Sequence, residues 1–277
     1  MERAGDPIVI FDSGVGGLPY LRRARELLPS ESFIYLADRA GFPYGTKTGA
    51  EVRGIVLDRV ARLVARFSPK ALVIACNTAS QAALAAVRAA NPGLAVVGTV
   101  PAVKPAAERT KTGTIGVMAT ARAVEDPYLD SLVARFAPRA TVLREAAQDL
   151  VAFVEHRLFE ATAEERRRAV AAPVRRLVDA GADQIVIACT HFLHLCDDIA
   201  EAAGPGVAIV DSRDGVARRL RAVLAERGIA RPPLAPSAVD GKRGRFLLSG
   251  EAPFEEHYRR FTEAFELDEP EALPVAR

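Results

Sequence analysis

No apolar stretch in this chain approaches the roughly 18–20 residues that a membrane-spanning helix needs, so no membrane partner is expected. An excess of one charge is missing too. The 37 basic and 35 acidic residues leave a net charge of +2 with no basic block, which argues against nucleic acid as a partner. Cysteine is scarce: three residues without CxxC spacing argue against a disulfide framework and against a metal site. The first seven residues are polar and lead straight into an apolar run, so no signal peptide is expected. What the chain does have is 277 residues, 49% of them hydrophobic, enough for one large core or two medium ones. The sum reads as a reduced, cytoplasmic α/β protein.

Two stretches match. Residues 72–76, ending Ala75-Cys76, and residues 185–189, ending Ala188-Cys189, are short apolar runs that turn abruptly polar. Each predicts a parallel strand buried on both faces. Asn77, Thr78 and Ser80, followed by the Ala-rich 81–90, read as a capped helix start. Each cysteine thus falls at the C-terminal end of a strand beside a helix start, where open α/β sheets bind ligands and a helix dipole favours a thiolate. One such cysteine is ordinarily a small core hydrophobe; two in near-duplicate settings point to chemistry. Cys196, inside an apolar pattern, keeps the plain reading.

In chain order, residues 8–11 predict a strand and residues 12–17 a Gly-rich turn before a helix over 18–28. Pro19 stands where the dinucleotide fingerprint needs its third glycine, so the turn suits a carboxylate or small polar substrate better. Asp12 reads equally as a helix cap or an acid–base partner. Residues 33–38 predict a second strand. Residues 41–48 miss the phosphate-loop pattern because Thr46 replaces a glycine and Pro43 removes an amide. Pro43-Tyr44-Gly45 reads instead as a stiff loop presenting backbone and an aromatic hydroxyl. Residues 51–67 predict an amphipathic helix with most of its arginines on the polar face. Residues 95–98 predict a strand, and 99–105, with two prolines, a crossover.

The pattern then restarts. Strands over 114–118, 140–143 and 185–188, with a helix over 164–180, follow the order of the first hundred residues at near-constant spacing. The fold class expected is therefore α/β: two similar three-layer halves, pseudo-twofold, with mostly parallel sheets facing a shared cleft. The domains expected are 1–98 completed by 211–277, and 99–210. Glu155, after an apolar run, reads as an ordinary exposed helix acid or, less often, as a functional carboxylate. Residues 208–212 predict a strand and polar corner, 214–227 a helix, 231–244 a Pro/Gly-rich loop, 245–250 a strand and 254–265 a helix. Residues 267–277 predict a fraying tail.

These residues together resemble the cofactor-independent aspartate/glutamate racemase superfamily, and within it glutamate racemases, over most of the chain. The resemblance rests on Asp12-Ser13-Gly14, Gly16-Gly17, Pro43-Tyr44-Gly45, the run from Cys76 to Ser80, Cys189-Thr190-His191, Asp211-Ser212 and the run 247–250. It implies that Cys76 and Cys189 are acid/base thiols assisted by Asp12 and His191, with Glu155 as a further carboxylate. It also implies that Asp12, Ser13, Pro43, Tyr44, Gly45, Asn77, Thr78, Thr190 and His191 line the amino-acid site. Departures from the family pattern are Arg39, Ala123, Ala147-Gln148, Ala152, Ala188, Leu193 and His194. The implied activity is interconversion of L- and D-glutamate for peptidoglycan synthesis, by a protein that is often a homodimer. Because the Asp-Ser-Gly turn begins at residue 12, activation by a peptidoglycan precursor is not expected.

The chemistry is consistent with the motifs. An α-proton is very weakly acidic, and inversion needs a base on one face of Cα and an acid on the other. A free thiol titrates at about 8.5, so modest tuning leaves one thiolate and one thiol near neutral pH. No pyridoxal phosphate or other cofactor is expected, since none of Lys47, Lys70, Lys104, Lys111 and Lys242 stands out as a Schiff-base residue. The alternatives are a racemase of another acidic or polar amino acid such as aspartate, and a non-catalytic amino-acid-binding protein on the same scaffold. The aspartate enzymes usually carry Glu where His191 stands. Decarboxylase relatives use one cysteine, and a sensor would need neither.

Overall fold

The computed structural model describes residues 2–232 and 244–275. Its contacts divide the chain into two compact units, Met1–Thr99 with Arg213–Arg277, and Val100–Ser212.

The first unit begins β1 (Ile8–Asp12), α1 (Leu18–Leu27), β2 (Phe33–Ala37), α2 (Gly49–Phe67), β3 (Ala71–Ile74), α3 (Asn77–Ala90) and β4 (Ala95–Gly98). The second runs α4 (Val103–Arg109), β5 (Thr114–Ala119), α5 (Ala121–Glu125), α6 (Pro127–Phe136), β6 (Thr141–Ala146), α7 (Asp149–Arg157), α8 (Ala163–Asp179), β7 (Gln184–Ile187), a 3-10 turn (His191–Leu195), α9 (Cys196–Ala203) and β8 (Ala208–Val210). The chain then returns to the first unit as α10 (Arg213–Glu226), β9 (Arg245–Ser249), α11 (Glu256–Ala264) and β10 (Glu271–Leu273).

Both sheets are wholly parallel, in the orders β10-β9-β2-β1-β3-β4 and β6-β5-β7-β8. The stretch β2-β1-β3-β4 has the same connectivity as β6-β5-β7-β8, so the repetition expected from the sequence is present strand for strand. In each, the chain leaves the first strand for one neighbour and comes back to the other side. The order therefore reverses between β1 and β3, and again between β5 and β7.

Alternation along the strands separates two apolar faces in each sheet. In the first unit Val9, Phe11, Ile34, Leu36, Leu72 and Ile74 pack with Val52, Val56, Val60 and Leu63 of α2 and with Ala79, Ala83 and Val87 of α3. On the opposite face Tyr35 stacks on Phe246 at 5.6 Å, and Phe246 meets Tyr258 of α11. In the second unit Ile115, Val117, Val186 and Val210 pack with α4, α5 and α6. Gly116 lies on the other face, where an added Cβ would stand 2.7 Å from a methyl of Leu177 on α8. Helices on both faces of a parallel sheet are what strands with no exposed side require.

The helix before each cysteine strand starts with the same device. Thr48 and Glu51 form a capping box on α2, and Thr162 and Glu165 form one on α8, each satisfying two otherwise orphan amides.

Several expectations are corrected. The segment after Pro101 is not a plain crossover, because α4 begins at Val103 with Pro105 in its first turn, where a missing N–H is tolerated. The described part of the C-terminal tail, 267–275, is held in place: β10 pairs with β9, Leu273 is buried in the core, and Glu271 accepts two hydrogen bonds from Arg245. Most arginines of α2 do lie on its polar face; Arg59 is the exception, buried against Asp38. Lys70 is a buried lysine that the sequence reading passed over. It precedes β3 at the N-terminal edge of the sheet, away from the strand ends that carry the cysteine, and pairs with Glu31 at 2.5 Å. Burial lowers its pKa, with Glu31 opposing. Most of the expected loop 231–244 lies outside the described residues, as does Lys242.

Candidate active site

In the first unit, the order reversal between β1 and β3 brings Asp12 and Cys76 to the ends of adjacent strands. Phe11 is paired with Ile74, and the Ala75 amide donates to the Phe11 carbonyl at 2.8 Å. The carboxyl end of a sheet at such a reversal is open, because the flanking loops diverge to opposite sides. Cys76 is the N-cap of α3 itself, not the residue before a separate cap. Its Sγ accepts from the Ala79 amide at 3.4 Å, at the positive end of a fourteen-residue helix. Asp12 is fully buried, and its Oδ1 accepts from the Gly14 amide at 3.0 Å. The Tyr35 hydroxyl donates to the Gly14 carbonyl at 2.8 Å and pins the turn. Gly17 is required there, since an added Cβ would stand 2.9 Å from that hydroxyl and 3.0 Å from Cβ of Asp12 and of Ala75.

Ser13, Asn77 and Thr78 are buried beside these groups. The Asn77 side-chain oxygen is buried and has no hydrogen-bond partner among the described residues. An unsatisfied buried amide oxygen is costly, and the site gains if a bound amine or hydroxyl donates to it. One turn along α3, both ends of the Gln81 amide are in the same condition.

Pro43 precedes a 3-10 turn, Tyr44–Thr46, that packs on α3. Tyr44 and Gly45 are buried. The Tyr44 hydroxyl, read from the sequence as presented to a site, donates to Oδ2 of Asp38 at 2.5 Å. Burial first, then the Asp38 charge, raises its pKa well above the ordinary tyrosine value, and the Cys76 sulfur adds to the effect. What Tyr44 and Gly45 can offer a ligand is therefore mainly backbone.

In the second unit, Cys189 stands after β7 at the matching reversal, with the Ala188 amide donating to the Met118 carbonyl at 2.9 Å. Here no α-helix follows directly. Cys189 and Thr190 lead into the 3-10 turn that begins with His191. Cys189, Thr190 and His191 are all buried. His191 Nε2 lies 2.9 Å from Oε2 of Glu155. The expectation of an exposed Glu155 is wrong: it is 1% exposed, because α7 turns Val151 and Glu155, four residues apart, inward against the 3-10 turn. Burial alone would lower the His191 pKa. Hydrogen bonds to Cys189 and Glu155, together with their charges, outweigh it and raise the value to about 10. The ring is thus a buried imidazolium at neutral pH, with a sulfur on one side and a carboxylate on the other. No group of three or more metal-ligating side chains occurs among the described residues.

The structure places the sequence-derived site residues at the carboxyl ends of the two sheets: Asp12, Ser13, Pro43, Tyr44, Gly45, Cys76, Asn77 and Thr78 in the first unit, and Glu155, Cys189, Thr190 and His191 in the second. The sequence reading missed Asp38, Arg59 and Ser249, which converge under the Tyr44 turn. For Arg59 a signal existed, because it occupies an inward position of α2 in register with Val52, Val56 and Leu63.

Comparisons with known proteins identify relatives of the chain. The family model described as Asp/Glu/Hydantoin racemase matches residues 20–220. The chain is 48% identical over 216 residues to a glutamate racemase of Sphingopyxis alaskensis, covering 77% of this chain and 80% of that protein. It is 37% identical over 262 residues to a glutamate racemase of Herpetosiphon aurantiacus, covering 95% of this chain and 98% of that one. It also superposes on the crystal structure of Escherichia coli glutamate racemase in complex with L-glutamate and the activator UDP-MurNAc-Ala. There the TM-score is 0.84 and the identity 31%, covering 98% of this chain and 100% of that one.

Proposed function

The chain belongs to the Asp/Glu/Hydantoin racemase family, a family of isomerases, and from that premise we propose that it interconverts L- and D-glutamate with Cys76 and Cys189 as its two acid–base thiols. The observation that carries the reading is the repeated placement: in two sheets of like order, a buried cysteine lies two residues past the end of the strand at the order reversal. A racemase must remove a proton from one face of Cα and deliver one to the other. With D-glutamate bound, Cys76 as thiolate takes the α-proton and becomes a thiol. Cys189, starting as a thiol, gives its proton to the opposite face and is left as thiolate. With L-glutamate the roles exchange.

The surrounding groups fit these tasks. The α3 amides that face Cys76 favour negative charge on its sulfur. His191, kept positive by Glu155, stands against the Cys189 sulfur, which must alternate between charged and neutral forms. Asp12 lies at the Cys76 end as a buried carboxylate for the substrate ammonium group or for proton handling. Asn77, Thr78, Ser13 and Thr190 supply hydrogen bonds to the amino acid, and the backbone at Tyr44 and Gly45 receives the far carboxylate. Two positioned thiols need no separate electron sink, so the reading includes no cofactor.

The finer parts of the reading rest on kinship with the glutamate racemases: supply of D-glutamate to peptidoglycan, a cytoplasmic location, a homodimer, and two domains at about the boundaries expected from the sequence. Time-resolved circular dichroism of purified protein with each glutamate enantiomer, no cofactor added, tests the activity. The expected result is loss of the optical signal from either enantiomer toward a racemic end point. A protein inert toward both, or active on aspartate and not on glutamate, would overturn the substrate assignment.

A further inference from the structure

Beneath the Tyr44 turn lies a fully buried carboxylate that the proton transfer does not use. Asp38 follows β2 and is 0% exposed. Its Oδ2 accepts from the Tyr44 hydroxyl at 2.5 Å. Its Oδ1 accepts from Arg59 Nε on α2 at 2.7 Å and from the Ser249 hydroxyl at the end of β9 at 2.5 Å. The Ser249 hydroxyl in turn accepts from the Ala40 amide at 2.9 Å, tying the start of the same loop to β9. Asp58 holds the far side of the Arg59 guanidinium at 2.5 Å. A Cβ added at Gly41 would stand 2.1 Å from Asp38 Oδ2, so the loop wraps the carboxylate too closely for any other residue.

We propose that Asp38, Arg59 and Ser249 form a positioning hub that holds the 39–47 loop in its substrate-receiving shape, and that the Tyr44 hydroxyl is an anchor of this loop and not a ligand group. What the loop receives rests on the functional reading above. A buried carboxylate is strongly destabilising unless paired, and here each oxygen is engaged from a different element. The arrangement therefore favours one loop geometry: moving Tyr44 outward strands Oδ2 of Asp38, and moving residues 39–41 breaks the bond from the Ala40 amide to the Ser249 hydroxyl. Arg39 adds an outer brace. Its guanidinium donates to the Glu251 carbonyl at 2.9 Å and to Glu255 at 2.9 Å, and it stacks over Phe254. The hub touches no reacting atom in this account, so its loss should loosen binding before it slows chemistry.

The test pairs two readouts on Tyr44→Phe, Ser249→Ala, Arg59→Lys and Arg59→Met. Amide hydrogen exchange over residues 39–47 reports the loop itself, and steady-state kinetics on both glutamate enantiomers report its use. The expected order of effect is Arg59→Met largest, Arg59→Lys partly restored, and the two hydroxyl deletions smaller. In Arg59→Met the loop amides should exchange at least about tenfold faster and KM rise about tenfold, with kcat within about threefold of wild type. Amides of β1 and β3 should keep their protection in every variant scored. If Arg59→Met fails to fold, Tyr44→Phe and Ser249→Ala decide, since each removes a single oxygen. Unchanged loop exchange and KM in both would overturn the hub, as would a fall in kcat at constant KM. A wild-type protein inert toward glutamate would remove the functional reading alone, with loop exchange still deciding the positioning role.

Discussion

The Cys76 end and the Cys189 end occupy the same place in sheets of like order, yet their surroundings differ in kind. Cys76 caps a long α-helix, and the charge facing it is the partial charge of backbone amides. Cys189 opens onto a 3-10 turn, and the charge facing it is a full one, on a buried imidazolium backed by Glu155. The carboxylates are exchanged as well. Asp12 ends β1 beside Cys76, whereas the corresponding position of β5 is Ala119 and the second unit draws its acid from α7 instead. A repeated scaffold sets where a thiol sits, while unrelated local elements set what stands beside it. One end is built from backbone, which substitution hardly alters. The other is built from side chains, which substitution and pH can remove.

The largest effect should come from the thiols themselves. Cys76→Ala and Cys189→Ala should each lower racemisation by at least about a thousandfold, because in the proposed mechanism every turnover needs one thiol as base and the other as acid. Polarimetry or circular dichroism on either enantiomer measures it. Near wild-type turnover in either variant would erase the comparison.

Next in size is the side-chain end. His191→Asn should reduce kcat by about ten- to a hundredfold with a smaller change in KM, and Glu155→Gln should do the same more weakly. The pH profile sharpens this. With the His191 pKa at about 10, wild-type activity should lose this contribution only on a strongly alkaline limb, and that limb should vanish in His191→Asn. Stability carries the same signature. A histidine raised from 6.5 to about 10 contributes fully below pH 6.5 and less as the pH rises toward about 10. Denaturant titrations of wild type and His191→Asn should therefore differ most at pH 6 and converge at high pH. A gap independent of pH would show that the imidazole is only packed there.

Smaller still is substrate grip. Asn77→Ala should raise KM by about tenfold with little change in kcat, since its buried side-chain oxygen has no hydrogen-bond partner among the described residues. The smallest effect concerns a feature in which the two units agree. Thr48→Ala and Thr162→Ala each remove a capping box and should each cost about 1 kcal/mol in chemical denaturation without altering kcat. A kinetic defect in either would mean that these helix starts do more than support the strands ahead of the cysteines.

Much of this was legible in the sequence, for reasons that differ by residue. The cysteine strands announce themselves because a parallel strand buried on both faces must be apolar throughout and can turn polar only where it ends. The repeated order showed because strands and helices alternate at similar spacing in both halves. Glu155 was misjudged because an acid after an apolar run looks solvent-facing until its partner is known, and His191 lies on a turn reached only through β7. The Asp38 hub was invisible for a related reason. Ser249 meets Asp38 only because β9 returns from the far end of the chain to pair with β2, and nothing local to either residue encodes that pairing. The tail was misread in the same way, since Leu273 looks dispensable until β9 offers it an edge.

The proposed mechanism has two unlike thiols serving opposite faces of one carbon, and proton NMR in heavy water reads out that division of labour. Because the enantiomers are equal in free energy, kcat/KM must stay equal in both directions for any variant, so rates alone cannot tell the thiols apart. The fate of the α-proton can. Starting from L-glutamate, the D-glutamate formed should carry deuterium from its first appearance, while the remaining L-glutamate keeps its proton early in the reaction. Deuterium entering substrate and product together, or product that retains the original proton, would contradict it and point to a single shared base.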